Sequence, residues 1–213
     1  KKSLIGTVFD GNHFPENMNL NEINSVMKRI YPNWSEKVFS SYMDKFQIPY
    51  KKIVKEFSRG VKMQLAIGVA LSHDAKVLIL DEATSGLDPM VRDEILDIFL
   101  EFIQEEDHTI LLSSHIISDI EKIADYVTFI NKGKIVISEN KDDLIYSHGI
   151  IHCSNSDVDL IDKKYIVGVQ NNKFGSKVLI KDKAGFTRRY HNYTIEKASI
   201  EEIMLFINNK GVY

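Results

Sequence analysis

The chain has 213 residues, 44% hydrophobic and 27% charged, with 11 Gly and 4 Pro, a balance that excludes disordered and fibrous classes and allows one large domain with a smaller appendage. The 27 Lys and Arg against 30 Asp and Glu leave a net charge of −3, so overall charge offers no argument for a nucleic-acid partner and none against a local basic patch. Cys153 is the one cysteine, which excludes an intrachain disulfide and makes a reducing compartment the default, and the longest apolar-or-glycine run, Leu65 to Leu71, is far short of the roughly 18 residues a membrane span needs.

Taken in chain order, Leu4 to Phe9 reads as an edge strand broken by Asp10, Gly11 and Asn12. Between Asn19 and Ser72 the period is helical. Leu20, Ile23, Val26, Met27 and Ile30 recur at three- and four-residue steps, and Val38, Tyr42 and Phe46 follow a Ser35 cap. Ser58 to Leu71 is apolar nearly all round, which predicts a helix buried on several sides. Val77 to Leu80 is a β-prone run ending in Asp81 and Glu82, the pattern of a parallel strand covered on both faces. Asp88 and Pro89 are the cap and first residue of a helix with Val91, Ile95, Ile98, Phe99 and Phe102 on one side.

Thr109 to Ser113 predicts the next strand, Ile116 to Ala124 a short amphipathic helix, and Tyr126 to Ile130 with Lys134 to Ile137 a hairpin through Asn131, Lys132 and Gly133. Strand and helix alternate, so the fold class is α/β. After Ser138 short strand candidates at 149–153, 165–170 and 177–181 lie between polar turns, and a last helix starts at Ser199 with Glu202 completing a capping box. Arg188, Arg189, Tyr190 and His191 read as a solvated strand or loop. The expected domains are 1–143, with a helical part at about 19–72, and an α+β appendage at 144–213.

The residues that carry chemistry are concentrated between Phe57 and His115. Phe57-Ser58-Arg59-Gly60-Val61-Lys62, then the strand ending in Asp81-Glu82, then Ser85-Gly86-Leu87-Asp88, then Ser114-His115 resemble, in order and spacing, the signature motif, Walker B strand, D-loop and switch histidine of ABC-type ATPases. The resemblance covers residues 4 to 140 and implies the ABC ATPase core, a parallel sheet with a helical subdomain. The appendage is similar in position to the tail of many bacterial exporter ATPases of that superfamily.

The residue types suit those roles. An acid at the carboxyl end of a buried parallel strand lies where open α/β sheets bind ligands, so Asp81 is expected to hold Mg²⁺ directly or through water. Adjacent strand residues point to opposite sides, which leaves Glu82 to polarise the attacking water. Ser58 and Gly60 open a helix whose N–H groups and dipole favour a phosphate. In ABC ATPases this motif meets the γ-phosphate of a nucleotide held by a partner, so the resemblance implies ATP as ligand, with Ser58, Arg59, Gly60, Ser85 and Asp88 as nucleotide-binding residues, and a head-to-tail dimer, homo- or heteromeric, that Asp88 contacts across the junction. His115 stands at the same sheet edge, placed to contact the γ-phosphate or to orient Glu82 and water.

Several positions depart from the family pattern. Arg59 stands where Gly is usual and Val61 where Gln is usual, while Asp10 follows Gly6-Thr7-Val8-Phe9 at the place of the usual Q-loop glutamine and is expected to touch Mg²⁺. No G-x-x-x-x-G-K-[ST] occurs in the 213 residues, so the main phosphate cradle is lacking. In the family that loop lies upstream, which implies that residue 1 falls inside a longer protein. The seven histidines show no metal-ligand spacing and Cys153 has no partner thiol, so zinc is not expected.

The resemblance implies the ATPase subunit of a bacterial exporter of hydrophobic drugs or antimicrobial peptides, with the Ser58-Arg59-Gly60 variant similar to the bacitracin-resistance type. A transmembrane permease subunit would be the partner, docking near His13, Phe14, Tyr31, Trp34 and Phe39, and the location would be cytoplasmic, on the inner face of the cell membrane. No nucleic acid is expected. The alternatives are a soluble ABC protein acting on ribosomes or DNA, and a fragment that binds a partner and hydrolyses nothing.

Overall fold

A computed structural model describes residues 2–11 and 14–208. The chain divides into two compact units, residues 1–119 and 120–213.

In the first unit, β1 (Ile5–Val8) lies at the edge of a parallel three-stranded sheet. It leads to α1 (Leu20–Ile30), which Asn19 and Glu22 close with a reciprocal capping box, and to α2 (Glu36–Lys45), capped by Ser35. The helix α3 (Arg59–Leu71) follows with Ser58 as its N-cap, and Met63 through Ala70 are all buried, as their all-round apolar sequence requires. Gly6 lets α3 approach the sheet closely, since a Cβ there would stand 2.8 Å from the Ala70 carbonyl oxygen and 2.7 Å from the Leu78 side chain.

The central strand β2 (Val77–Asp81) pairs in parallel with β1 on one side and with β3 (Thr109–Ser113) on the other, in register from Val77 opposite Thr109 to Asp81 opposite Ser113. Between them runs α4 (Pro89–Phe102), capped by Asp88, with Ile95, Leu96, Ile98 and Phe99 buried. The strands pair as the sequence predicts, but β2 is not covered on both faces. Leu78 and Leu80 are buried, Val77 and Ile79 only half so, and on the flanking strands Ile5 and Leu111 are exposed by 37% and 65%. The apolar run therefore reflects one buried face and one that this unit leaves partly open. The helix α5 (Ile117–Ile123) runs across the division between the units.

The aromatic group of the helical region serves packing. Phe39 is core, Trp34 packs on it at 5.3 Å between centroids and donates its Nε1–H to Asn24 at 2.7 Å, and Tyr31 stacks on buried His73 at 4.0 Å. Burial holds the His73 imidazole below its ordinary pKa. Asn12 and His13 lie outside the described residues.

In the second unit β4 (Tyr126–Asn131) and β5 (Lys134–Asn140) form an antiparallel hairpin. Lys132 and Gly133, with φ of 48° and 73°, make the tight left-handed turn that suits the strand twist. Then come α6 (Lys141–Ser147), β6 (His148–Cys153), β7 (Ile166–Asn172), β8 (Gly175–Lys181), α7 (Lys183–Arg189), β9 (Ile195–Lys197) and α8 (Ile200–Asn208). The four strands from β6 to β9 form an antiparallel sheet in the order β7-β8-β6-β9. Its alternating residues feed two cores, one around Ile150, Leu179 and Phe206 and one around Ile151, Val178, Ile180 and Phe186. Ser199 and Glu202 form the expected capping box, and Lys177 donates to Glu202 at 2.7 Å, holding its carboxyl below the usual range.

The basic-aromatic cluster departs from expectation. Arg188 and Arg189 end a helix rather than lying in a strand or loop, because Asp182 accepts from the Gly185 N–H at 3.0 Å and nucleates α7. Tyr190 then turns inward against Phe186, at 4.8 Å between centroids. The sequence assigns no element to 141–147, where α6 forms because the Asn140 side chain caps it by accepting from the N–H groups of Asp142 and Asp143.

Candidate functional site

The carboxyl ends of β2 and β3 bring Asp81, Glu82 and His115 to one edge. Asp81 ends β2 directly opposite Ser113, whose hydroxyl donates to Asp81 Oδ1 at 2.5 Å. The next residue, Glu82, leaves the strand with φ of +53°, a left-handed conformation uncommon for a side chain of this size, while its N–H still donates to the Ser113 carbonyl at 3.0 Å. That turn sends the Glu82 carboxylate towards His115, where Oε2 lies 2.5 Å from Nδ1. With the carboxylate ionised, Nδ1–H is the donor and Nε2 is the ring atom left to face a ligand. The Glu82 side chain is 28% exposed and that of His115 69%, so the pair opens to solvent.

Ser58 caps α3, its hydroxyl oxygen accepting from the Val61 N–H at 3.3 Å, and its own O–H remains available to an anion at the helix start. Asp88 caps α4 in the same way, accepting at 3.1 Å from the N–H groups of both Met90 and Val91. Ser85 lies between them in the loop after β2 and is half-buried, its N–H donating to the Glu82 carbonyl at 3.0 Å.

Two positions singled out separately in the sequence meet. Arg59 Nη2 donates to Asp10 Oδ1 at 2.6 Å, with about half of each side chain exposed, and the guanidinium lies over Gly86, where a Cβ would stand 3.4 Å from it. Two of the three substituted positions, Asp10 and Arg59, are thus the two ends of one ion pair. Such a half-exposed pair contributes about 0–1 kcal/mol. A double-mutant cycle of Asp10→Asn and Arg59→Gln, read by thermal melting, is expected to give a coupling within that range that fades as salt is raised from 0.05 to 1 M, which shortens the screening length from about 14 to about 3 Å. A coupling that salt leaves untouched would contradict it.

Sequence reasoning passed over Thr84, Arg92 and Asp119. Thr84 Oγ1–H donates to Asp119 Oδ2 at 2.6 Å, Arg92 Nε–H donates to Asp119 Oδ1 at 2.7 Å, and Arg92 Nη2 donates to Ser118 Oγ at 2.6 Å. Thr84 and Asp119 are fully buried. The signal was present: Asp119 falls on the same helical stripe as Ile116, Ile120 and Ile123, and an acid on an apolar stripe asks for a buried partner.

Among the described residues no group of three or more His, Cys, Asp or Glu is arranged to hold a metal, and no helix is long and apolar enough to cross a membrane. A magnesium ion does not require such a group, because it commonly takes one or two carboxylates, water and substrate phosphates. Asp81 at an open sheet edge fits that role. The carboxylate of Asp10 is engaged by Arg59.

Residues 2–85 match the ABC transporter family model. The lantibiotic transport ATP-binding protein SrtF of Streptococcus pyogenes is 45% identical over 92 residues, 43% of this chain and 40% of that protein. The bacitracin transport ATP-binding protein BcrA of Bacillus licheniformis is 44% identical over 86 residues, covering 40% and 28%, and the energy-coupling factor transporter ATP-binding protein EcfA2 of Clostridium tetani is 33% identical over 199 residues, covering 92% and 62%. Among solved structures, an ATP-binding subunit of an ABC transporter shares the fold with a TM-score of 0.60 at 22% identity, covering 68% of this chain and 62% of that one. The chain spans less than two thirds of the length of each of these relatives. Motif order, the parallel sheet edge and the match to the family model coincide within residues 2–85, and that segment is similar to the ABC transporter family.

Proposed function

We propose that this chain contributes the hydrolytic edge and the signature turn of an ATP-driven transporter subunit. The observation that carries the reading is the Glu82–His115 contact at 2.5 Å beside Asp81, at the carboxyl edge of a parallel sheet. Glu82 serves as general base towards water, and His115 fixes its carboxylate and turns Nε2 to the terminal phosphate. Asp81 holds Mg²⁺, which when bound neutralises phosphate charge; Ser113 orients the Asp81 carboxylate through its hydrogen bond. Ser58, Arg59 and Gly60 present a helix N-terminus and a guanidinium to the phosphates of a nucleotide held mainly by a second ATPase subunit, with Ser85 and Asp88 near the same junction.

Relatives named for lantibiotic and bacitracin transport support export of a hydrophobic drug or antimicrobial peptide as the coupled process, with a membrane permease as partner on the cytoplasmic side. Because the 213 residues hold no G-x-x-x-x-G-K-[ST], tight nucleotide binding is assigned to a polypeptide that supplies one.

Calorimetry tests this. The 213-residue chain alone is expected to bind ATP·Mg²⁺ more weakly than about 1 mM, a free energy of no more than about 4 kcal/mol. Mixed with a phosphate-loop-bearing ABC subunit, it is expected to associate only when ATP is present, and Ser58→Glu is expected to abolish that association by setting like charge against phosphate. Micromolar ATP binding by the chain alone, or association that ignores Ser58→Glu, would overturn the proposal.

A further inference from the structure

Glu82 and His115 sit on two different loops, and their direct contact is open to water, where a carboxylate–imidazole pair is easily lost to solvent and salt. A second connection, out of reach of water, joins the Glu82 loop to α5, the helix that follows His115. Two residues beyond Glu82, Thr84 donates to Asp119, and four residues beyond His115, Asp119 receives it. Both side chains are 0% exposed. Arg92, from the helix between the two loops, donates to the other oxygen of Asp119 and to neighbouring Ser118, so the carboxylate is held from two directions and its charge is compensated. The Asp119 N–H donates to the Ile116 carbonyl at 3.1 Å, which ties the acid to the turn that immediately follows His115.

The connections form a closed circuit. It runs from Glu82 along the backbone to Thr84, across to Asp119, back through the Ile116 turn to His115, and from His115 Nδ1 to Glu82 Oε2. Only the last link is exposed. The Glu82 N–H bond to the Ser113 carbonyl fixes the strand ends, and beyond them the buried, charge-assisted Thr84–Asp119 bond constrains how far the Glu82 and His115 segments can separate. Thr84 also lies two residues past the left-handed turn at Glu82, where an unanchored loop would relax.

We propose that Asp119, acting through Thr84 and compensated by Arg92, is the positioning residue that holds Glu82 against His115. The inference rests on Glu82 and His115 acting as a pair in the proposed function. It assigns Asp119 no contact with nucleotide.

The imidazole ring of His115 reports the outcome directly. In the full chain at pH 8, ring ¹⁵N spectra are expected to show His115 mainly as the Nδ1–H tautomer, because the Glu82 carboxylate accepts the hydrogen bond from Nδ1–H. Glu82→Ala defines the ring with no partner, and His115→Gln assigns its signals among the seven histidines. Thr84→Val, which keeps the shape and removes the hydroxyl, is expected to move the tautomer ratio most of the way to the Glu82→Ala value, and Thr84→Ser is expected to restore it. Asp119→Asn is expected to act as Thr84→Val does, and Thr84→Val carries the test where Asp119→Asn unfolds the chain. A Thr84→Val ratio equal to wild type, with Glu82→Ala shifted, overturns the positioning role and leaves the pair standing. A wild-type ratio already equal to that of Glu82→Ala shows that the pair is not held in solution, which overturns the inference together with the paired role of Glu82 and His115. Loss of the ratio in both Thr84→Val and Thr84→Ser marks a packing effect and likewise overturns it.

Discussion

Glu82→Gln, placed in a chain that also carries a phosphate loop, is expected to lower steady-state ATP turnover by about 10²- to 10⁴-fold, the usual contribution of a general base. The amide keeps the shape of the carboxylate and its place 2.5 Å from His115 Nδ1, so nucleotide binding should persist while the attacking water loses its polarising charge. Turnover falls with binding retained only if the carboxylate acts on the chemical step. Single-turnover measurements with ATP·Mg²⁺, beside a direct binding titration, separate the two. Hydrolysis within a few-fold of wild type would remove Glu82 from the base role and return the acidic pair to an ordinary strand end.

The second large effect concerns stability. Arg92→Met keeps much of the aliphatic stem and removes the guanidinium that compensates Asp119, leaving a fully buried carboxylate with only the Thr84 hydroxyl and no opposite charge. Breaking a buried pair from one side costs about 3–5 kcal/mol, against about 0–1 kcal/mol for the half-exposed Arg59–Asp10 pair. Arg92→Met should therefore lower the urea midpoint far more than Arg59→Met. Replacing both Arg92 and Asp119, by Met and Leu, should recover much of the loss, because no charge then remains buried. Equal effects of the two arginine substitutions would mean that Asp119 is reached by water.

What the sequence reveals of this molecule is what short stretches determine. An apolar run into two acids, a serine ahead of an all-apolar helix and an Asp-Pro start each specify an element and the end at which its functional group lies, and β2, α3 and α4 follow those patterns. The helices of the second unit are less legible, since α6 and α7 are seven residues each with a single buried side chain and owe their starts to the Asn140 and Asp182 caps. A polar stretch of that length reads equally as a turn. Pairings across long separations lie further from view. Asp10 and Arg59 are 49 residues apart and Thr84 and Asp119 are 35 apart, so no local period joins them. Asp10 suggested a magnesium contact on its position alone, whereas the fold gives its carboxylate a guanidinium.

The left-handed backbone at Glu82 sets folding and chemistry against each other at a single residue. With φ of +53°, this position would be occupied at lower conformational cost by glycine, which would delete the carboxylate that meets His115. Selection for heat resistance alone would drift towards glycine here, and selection for turnover would hold the acid in place. The glutamate is thus a point where tolerance to substitution depends on which property is screened, and a library ranked by stability would discard the residue on which the proposed reaction depends.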